Sequence, residues 1–146
     1  MLSSVPGLRD VLPSTPNDVV GAVFRYTRLR EIPSDTRLIQ EGFYDLAKSF
    51  PELFNFLAFR TDGIFPYSRH LARILGELKN ARLLRVRNPD YDVIELMPEA
   101  MAYVDKQIIP KFSKKEKALL IKSGRAFAHY WVQHPKRSGM YLSSTA

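Results

Sequence analysis

Apolar and polar residues are arranged along this chain in patterns that predict several helices and one β-hairpin. The clearest helical segment is residues 66–80, in which four apolar residues stand at positions i, i+3, i+4 and i+7: Leu71, Ile74, Leu75 and Leu78. Residues 82–87 and 91–96 have the composition and alternation typical of strands, and residues 88–90 between them form a turn sequence. The pattern therefore predicts a helix that is followed directly by an antiparallel hairpin.

Two further helices are predicted before this unit. The first begins at Thr15-Pro16, because threonine caps a helix and proline is tolerated in its first turn, and it stops before Pro33. The second follows a cap at Ser34 or Asp35. Residues 53–60 are rich in aromatic side chains and fit either a short strand or a helical turn, and the pattern does not decide between them.

Two more helices are predicted after the hairpin. One opens at Pro98-Glu99 and ends before Pro110, and a longer one follows a capping box at Ser113–Glu116 and runs to about Gln133. The predicted fold class is therefore mostly α with a small β-hairpin (α+β). The predicted organisation is a flexible N-terminal arm at 1–14, a domain at 15–97, a C-terminal helical extension at 98–134 and a flexible tail at 135–146.

The composition excludes several kinds of active site. The chain has no cysteine, which excludes thiol catalysis, cysteine-ligated zinc and disulfides. Its three histidines lack the spacing of a metal site, there is no glycine-rich phosphate loop, and Ser68 has no evident His/Asp partner. We therefore expect no enzymatic activity, no cofactor and no metal. Without a targeting signal or an apolar run of about 18 residues, we also expect a cytoplasmic protein with no membrane contact.

The net charge of +7 is unevenly distributed. Residues 60–87 hold seven Lys/Arg and two Asp/Glu, a net charge of +5, whereas residues 1–59 have a net charge of −1. Clustered positive charge attracts polyanions, and nucleic acid is the commonest one inside cells. The alternative is a surface that is basic for solubility alone.

Polar residues occupy the helix face opposite the apolar one, and a basic hairpin follows that helix. Arginine and asparagine hydrogen-bond phosphates and base edges, so a basic helix beside a basic hairpin is suited to straddle a groove of double-stranded DNA. The candidate DNA-binding residues are Ser68, Arg69, His70, Arg73, Asn80, Arg82, Arg85 and Arg87.

Two neighbouring residues bear on this hypothesis in opposite ways. Gly76 lies in the middle of the polar face at a cost of about 1 kcal/mol relative to alanine, and it lets that face approach another surface closely. Glu77 lies on the flank of the face and argues against binding a polyanion. The alternative interpretation is that Arg69 and Arg73 are ordinary solvated residues and that Gly76 relieves crowding.

A family resemblance is carried by two stretches, residues 36–46 (TRLIQEGFYDL) and residues 65–84 (FPYSRHLARILGELKNARLL). They resemble the winged helix-turn-helix superfamily, especially small prokaryotic members with a Gly-Pro-(Phe/Tyr)-Ser-x-x-Leu helix that leads into a wing. Phe65 stands here where that pattern has glycine. The resemblance covers about residues 16–97 and implies a winged-helix fold with a C-terminal helical extension. It also implies a transcriptional regulator that binds duplex DNA.

The last predicted helix is a second candidate interface. Its end is heavily aromatic, and winged-helix proteins often pair through an appended helix, so we expect a homodimer. The candidate dimerisation residues are Phe127, Tyr130 and Trp131. The alternative is that this helix packs on its own domain. A second function also stays open, because the same fold serves as a protein–protein interaction module, antitoxin-like or adaptor, with no nucleic acid.

Overall fold

A computed structural model describes residues 15–86 and 93–133 of the chain, with the backbone alone at residues 131–133. Its helices and strands, in chain order, are α1 (Pro16–Tyr26), β1 (Glu31–Pro33), α2 (Thr36–Ser49), α3 (Pro51–Phe54), α4 (Arg69–Asn80), β2 (Arg85–Val86), β3 (Val93–Glu95), α5 (Pro98–Tyr103) and α6 (Lys114–Gln133). A 3-10 turn follows α3, and π and 3-10 turns connect α5 to α6: Asn55–Leu57, Val104–Ile108 and Ile109–Lys111.

The predicted α+β class is confirmed, since the described chain is mostly helical with one small antiparallel sheet. The predicted arm at 1–14, the hairpin turn at 88–90 and the tail at 135–146 lie outside the described residues.

α1 begins where its sequence predicts and ends earlier. The Thr15 hydroxyl accepts from the Asp18 amide (3.2 Å) and the Asp18 carboxylate accepts from the Thr15 amide (3.0 Å), which is a reciprocal helix cap. The helix stops at Tyr26 rather than just before Pro33. Arg28 has a φ of 59°, which no right-handed helix continues through, and residues 31–33 then form a strand.

Two other helix starts are settled by the structure. Asp35, not Ser34, caps α2, because its carboxylate accepts from the Leu38 amide (3.1 Å). The aromatic-rich segment is helical rather than a strand, and it ends at Ala58, where φ is 50°.

The sheet is three-stranded with β3 in the middle. β1 and β2 both pair with β3 in antiparallel fashion, and the register places Ile32 and Val86 on either side of Ile94. The antiparallel pairing of β2 with β3 confirms that the two predicted segments pair, but the first strand covers only Arg85–Val86 of the predicted 82–87, and the second covers Val93–Glu95 of the predicted 91–96. β1 is not predicted, because three residues that include a proline are too few to show a strand period. The sheet therefore ties the chain after α1 to the chain after α4.

Phenylalanine rings from four helices form the centre of the core: Phe24, Phe43, Phe54 and Phe127. Their centroids lie 4.8–6.1 Å apart in edge-on and tilted contacts. Phe127 is 1% exposed, so its ring is not available to a second copy of the chain. The interpretation of Phe127 as a dimerisation residue is therefore wrong. An aromatic helix face carries no sign of whether it packs within one chain or between two.

α6 crosses α1 at close range. A Cβ atom placed on Gly124 would lie 2.5 Å from the Tyr26 Cβ and 2.6 Å from the Tyr26 carbonyl carbon, closer than real side chains come. The Tyr130 hydroxyl then donates to the Glu41 carboxylate on α2 (2.9 Å). The Trp131 side chain lies outside the described part of the structure, and a dimer through Tyr130 and Trp131 stays a prediction.

Among the helices of the described ranges, none combines the length and the apolar character that crossing a bilayer requires.

Candidate nucleic-acid interface

A buried set of hydrogen bonds fixes the start of α4. The Ser68 hydroxyl accepts from the Leu71 amide (3.0 Å) and donates to the Leu57 carbonyl (2.5 Å). Gln40 on α2 bonds both backbone groups of Ser68: its Oε1 accepts from the amide (2.7 Å) and its Nε2 donates to the carbonyl (3.1 Å). Both residues are fully buried, so water does not compete for these bonds, and α4 is held rigidly against α2.

Ser68 is consequently not a DNA contact. Its hydroxyl caps α4, which begins at Arg69 rather than at Pro66, and the residue has no exposed surface. The prediction that placed Ser68 among the DNA-binding residues is wrong, because a serine before a helix has the same sequence pattern whether it is buried or exposed.

The loop that precedes α4 is also closed. Arg60 and Tyr67 exchange two backbone hydrogen bonds (2.8 and 2.9 Å), and Ile64 at the loop tip is 90% exposed. The Arg60 guanidinium donates to Asp62 (2.7 Å), and this bond raises the pKa of Arg60 and lowers the pKa of Asp62, since each charge stabilises the other. The charge of Arg60 is therefore already balanced within its own loop.

The two faces of α4 are as predicted. Leu71, Ile74 and Leu78 are buried, and Leu75 is half-buried against the same core. The polar residues of the opposite side are exposed: Arg69, His70, Arg73, Gly76 and Asn80. A Cβ at Gly76 would meet nothing within 4 Å, so the chain itself does not require glycine there. This observation excludes the interpretation that Gly76 relieves crowding inside the protein.

Glu77 has structural partners that account for its place on the flank of α4. One of its oxygens accepts from the Asn17 side chain on α1 (2.7 Å), and the other lies 3.7 Å from the Arg73 Nε. The Arg73 side chain is 59% exposed, and an exposed ion pair of this length is weak. Arg73 can therefore exchange Glu77 for another anion at little cost.

α4 ends in a strained arginine. Arg82 has a φ of 65°, and the Leu83 amide donates back to the Leu78 carbonyl (2.9 Å), which is the helix ending that normally uses glycine. Holding a residue with a Cβ there costs about 1 kcal/mol. The sequence gives no sign of this strain, because without a glycine the helix end reads as an ordinary basic stretch.

The described part of the hairpin carries one further candidate. Arg85 on β2 is exposed, and its Nε lies 3.6 Å from the Glu95 carboxylate, directly across the register on β3. Arg87 lies outside the described residues. The hairpin charge that the structure describes is therefore partly compensated.

Three exposed cations in and after α4 stand apart from these pairs: Arg69, Lys79 and Arg82. Within residues 15–86 and 93–133, no acidic side chain lies within ion-pair distance of them. Lys79 is absent from the predicted set, since its position on the helix wheel is on the flank near Leu75. The only sequence feature that pointed to Lys79 was the excess of positive charge in residues 60–87.

Over the described ranges, no three histidine or acidic side chains lie together as a metal site would need. The candidate surface is thus a rigid, exposed and basic helix face that continues past Arg82 to Arg85. Comparison of the chain with protein-family models, with curated protein sequences and with solved structures finds no match.

Proposed function

We propose that the protein is a winged-helix transcriptional regulator that reads duplex DNA with α4 and contacts the DNA backbone with the β2–β3 hairpin. The order of elements supports this: two helices separated by a strand, then the short helix α3, the basic helix α4 and the pair of strands β2 and β3. The sheet order β1-β3-β2 is also the one that a winged helix has. In such a protein the second helix of the helix-turn-helix enters the major groove.

The observation that carries the proposal is the set of exposed cations without acidic partners along α4 and its end. Leaving positive charge unpaired on a rigid face favours a polyanionic partner, because that partner releases its condensed counterions on binding. In this arrangement Arg69, Arg73 and Asn80 face base edges, with His70 near the helix start. Arg82, Arg85 and Arg87 contact phosphates.

A titration of labelled random-sequence duplex DNA at several salt concentrations tests the proposal. Arg69→Ala/Arg73→Ala should weaken binding about tenfold or more and leave the salt slope little changed, because these two arginines face bases rather than phosphates. The matched control is Lys114→Ala/Lys115→Ala, which removes the same charge from exposed positions at the start of α6. Equal losses in the two variants, or no loss in either, would contradict a reading role for α4.

A second pair of variants tests close approach without changing charge. Gly76→Ala should stabilise α4 by about 1 kcal/mol and yet weaken DNA binding, because the added methyl separates the helix from the groove. Gly21→Ala on α1 is the control, since its Cβ also meets nothing within 4 Å and Gly21 is buried, so the added methyl is not exposed to DNA. A Gly76→Ala protein that is more stable and binds DNA as tightly as the parent would show that α4 stays clear of the duplex.

The second candidate function is a protein-interaction module, and the exposed Ile64 beside Tyr67 favours it. Ile64 is 90% exposed and Tyr67 is 37% exposed, so two large apolar side chains of this loop are available to be buried against a protein partner. The same titration separates the two functions. An interaction module would show no duplex binding even at low salt.

A further inference from the structure

A cleft of about 680 Å³ opens where the end of α4, strand β2 and the start of α5 meet. Its volume lies within the range of small-molecule sites, roughly 300–1,000 Å³. Its lining does not include the polar stripe of α4, but it includes three basic residues of the proposed DNA surface, Lys79, Arg82 and Arg85.

The charged residues that line the cleft are mostly basic. Lys79 and Arg82 contribute positive charges that have no acidic partner among the described residues, while Arg85 is partly neutralised by Glu95. Glu99, in the first turn of α5, is the one acidic residue among the described lining. An anion entering the cleft would therefore gain two unpaired cations and oppose one carboxylate.

The remaining lining is apolar. Leu84 and Ala100, which are 3% and 7% exposed, and the half-buried Val86 lie beneath the charged residues. An inorganic phosphate would leave this apolar surface wet, and a neutral hydrocarbon would leave the cations without a counter-charge. The lining as a whole matches a molecule that carries an anionic group and an apolar body.

The strain at Arg82 agrees with a use for its charge. Glycine would adopt the same backbone without cost, so the chain keeps the charge of Arg82 at this position at the expense of backbone strain.

We propose that this cleft binds an organic anion, a carboxylate or sulfonate with an aromatic or aliphatic body. Lys79 and Arg82 hold the charged group, and the surface formed by Leu84, Val86 and Ala100 covers the apolar body.

Equilibrium dialysis with 2-naphthoate, in the absence of DNA, tests the site directly. Naphthoate should bind, 2-naphthalenemethanol should bind at least about tenfold more weakly, and Arg82→Gly should reduce naphthoate affinity by a similar factor. Arg28→Gly is the matched control, because it replaces another arginine at positive φ that lies outside the cleft. It should leave naphthoate binding unchanged.

A variant that binds naphthoate more tightly than the parent cannot owe that result to a damaged fold, because damage only lowers affinity. Glu99→Gln removes the acidic residue of the lining and should tighten naphthoate binding about threefold. Equal affinity for the alcohol and the carboxylate, or an unchanged affinity in both Arg82→Gly and Glu99→Gln, would overturn the proposal.

One consequence rests on the proposed function. Because Arg82 and Arg85 belong to both surfaces, naphthoate at ten times its own Kd should raise the apparent Kd for duplex DNA about tenfold, as full competition requires. Sodium acetate at the same concentration controls for ionic strength. An unchanged Kd for DNA would refute the competition. If DNA does not bind even without naphthoate, the proposed function is refuted, and the cleft is then tested by the dialysis experiment alone.

Discussion

α1 and α4 end in the same backbone conformation but in different electrostatic surroundings. Each is followed by an arginine at positive φ, Arg28 at 59° and Arg82 at 65°. Near the end of α1, Arg25 donates two hydrogen bonds to Asp105 (2.7 and 2.9 Å), which joins the helix to the turn that leads towards α6. At the end of α4, no acidic side chain of the described chain pairs with Arg82. The charge of Arg25 is thus held by an acidic residue of the same chain, whereas Arg82 has no such partner among the described residues.

The largest expected effect concerns the buried side of α4, which should be as essential to stability as that of α1. Ile74→Ala should lower the free energy of unfolding by about 2–5 kcal/mol, because Ile74 is fully buried and the substitution leaves a cavity. Leu75→Ala should cost clearly less, since Leu75 is half-buried. Urea denaturation measures both, and equal costs would mean that α4 is rotated about its axis relative to this structure.

An intermediate effect separates the two helix ends. Arg82→Gly and Arg28→Gly should each raise the free energy of unfolding by about 0.5–1 kcal/mol, because glycine removes the strain of positive φ. Of the two, Arg82→Gly alone should weaken binding to duplex DNA, by about tenfold. Thermal unfolding and a DNA titration check these outcomes. A loss of DNA binding in Arg28→Gly of the same size would abolish the contrast drawn between the two ends.

The smallest expected effect is the pH dependence of the α1 ion pair. The bond from Arg25 lowers the pKa of Asp105 below its ordinary value of 3.8, so the pair stabilises the fold above that value and its contribution is lost as the pH falls through the lowered one. Asp105→Asn should therefore be less stable than the parent at neutral pH, by about 0.5 kcal/mol given the exposure of the pair.

Urea unfolding of the parent and of Asp105→Asn as a function of pH measures this difference, which should shrink towards zero in acid. Asp62→Asn tests the same linkage in a pair that is confined to one loop: because the bond from Arg60 also lowers the pKa of Asp62, this variant should likewise lose stability at neutral pH and match the parent in acid. A difference between the parent and Asp105→Asn that is the same at all pH values would contradict a role for the ion pair.

Periodicity was sufficient to predict those elements whose burial is one-sided. The apolar face of α4 is visible in sequence because its neighbours, Arg73 and Glu77 among them, are polar and exposed. β1 has no such contrast in three residues, and its strand identity depends on pairing with β3, whose residues are 60–64 positions away in the sequence. Long-range pairing of that kind leaves no local pattern.

The candidate surface was predicted in part for a related reason. Helical periodicity shows which charged residues lie opposite the apolar face, so the exposure of Arg69 and Arg73 was predicted. The burial of Ser68 and Phe127 was not predicted, because it results from contacts with residues distant in the sequence. Ser68 bonds to Leu57, and Phe127 packs on Phe24 and Phe43. The cleft was not predictable either, since its lining comes from three separate elements.

Two consecutive residues of α2 give the molecule a mechanical connection between its distant ends. Gln40 is bonded to the backbone at the start of α4, and Glu41 accepts from Tyr130 near the end of α6. The start of α4 and the end of α6 are therefore both bonded to the same turn of α2. A substitution that displaces this turn of α2 should therefore disturb both the start of α4 and the end of α6.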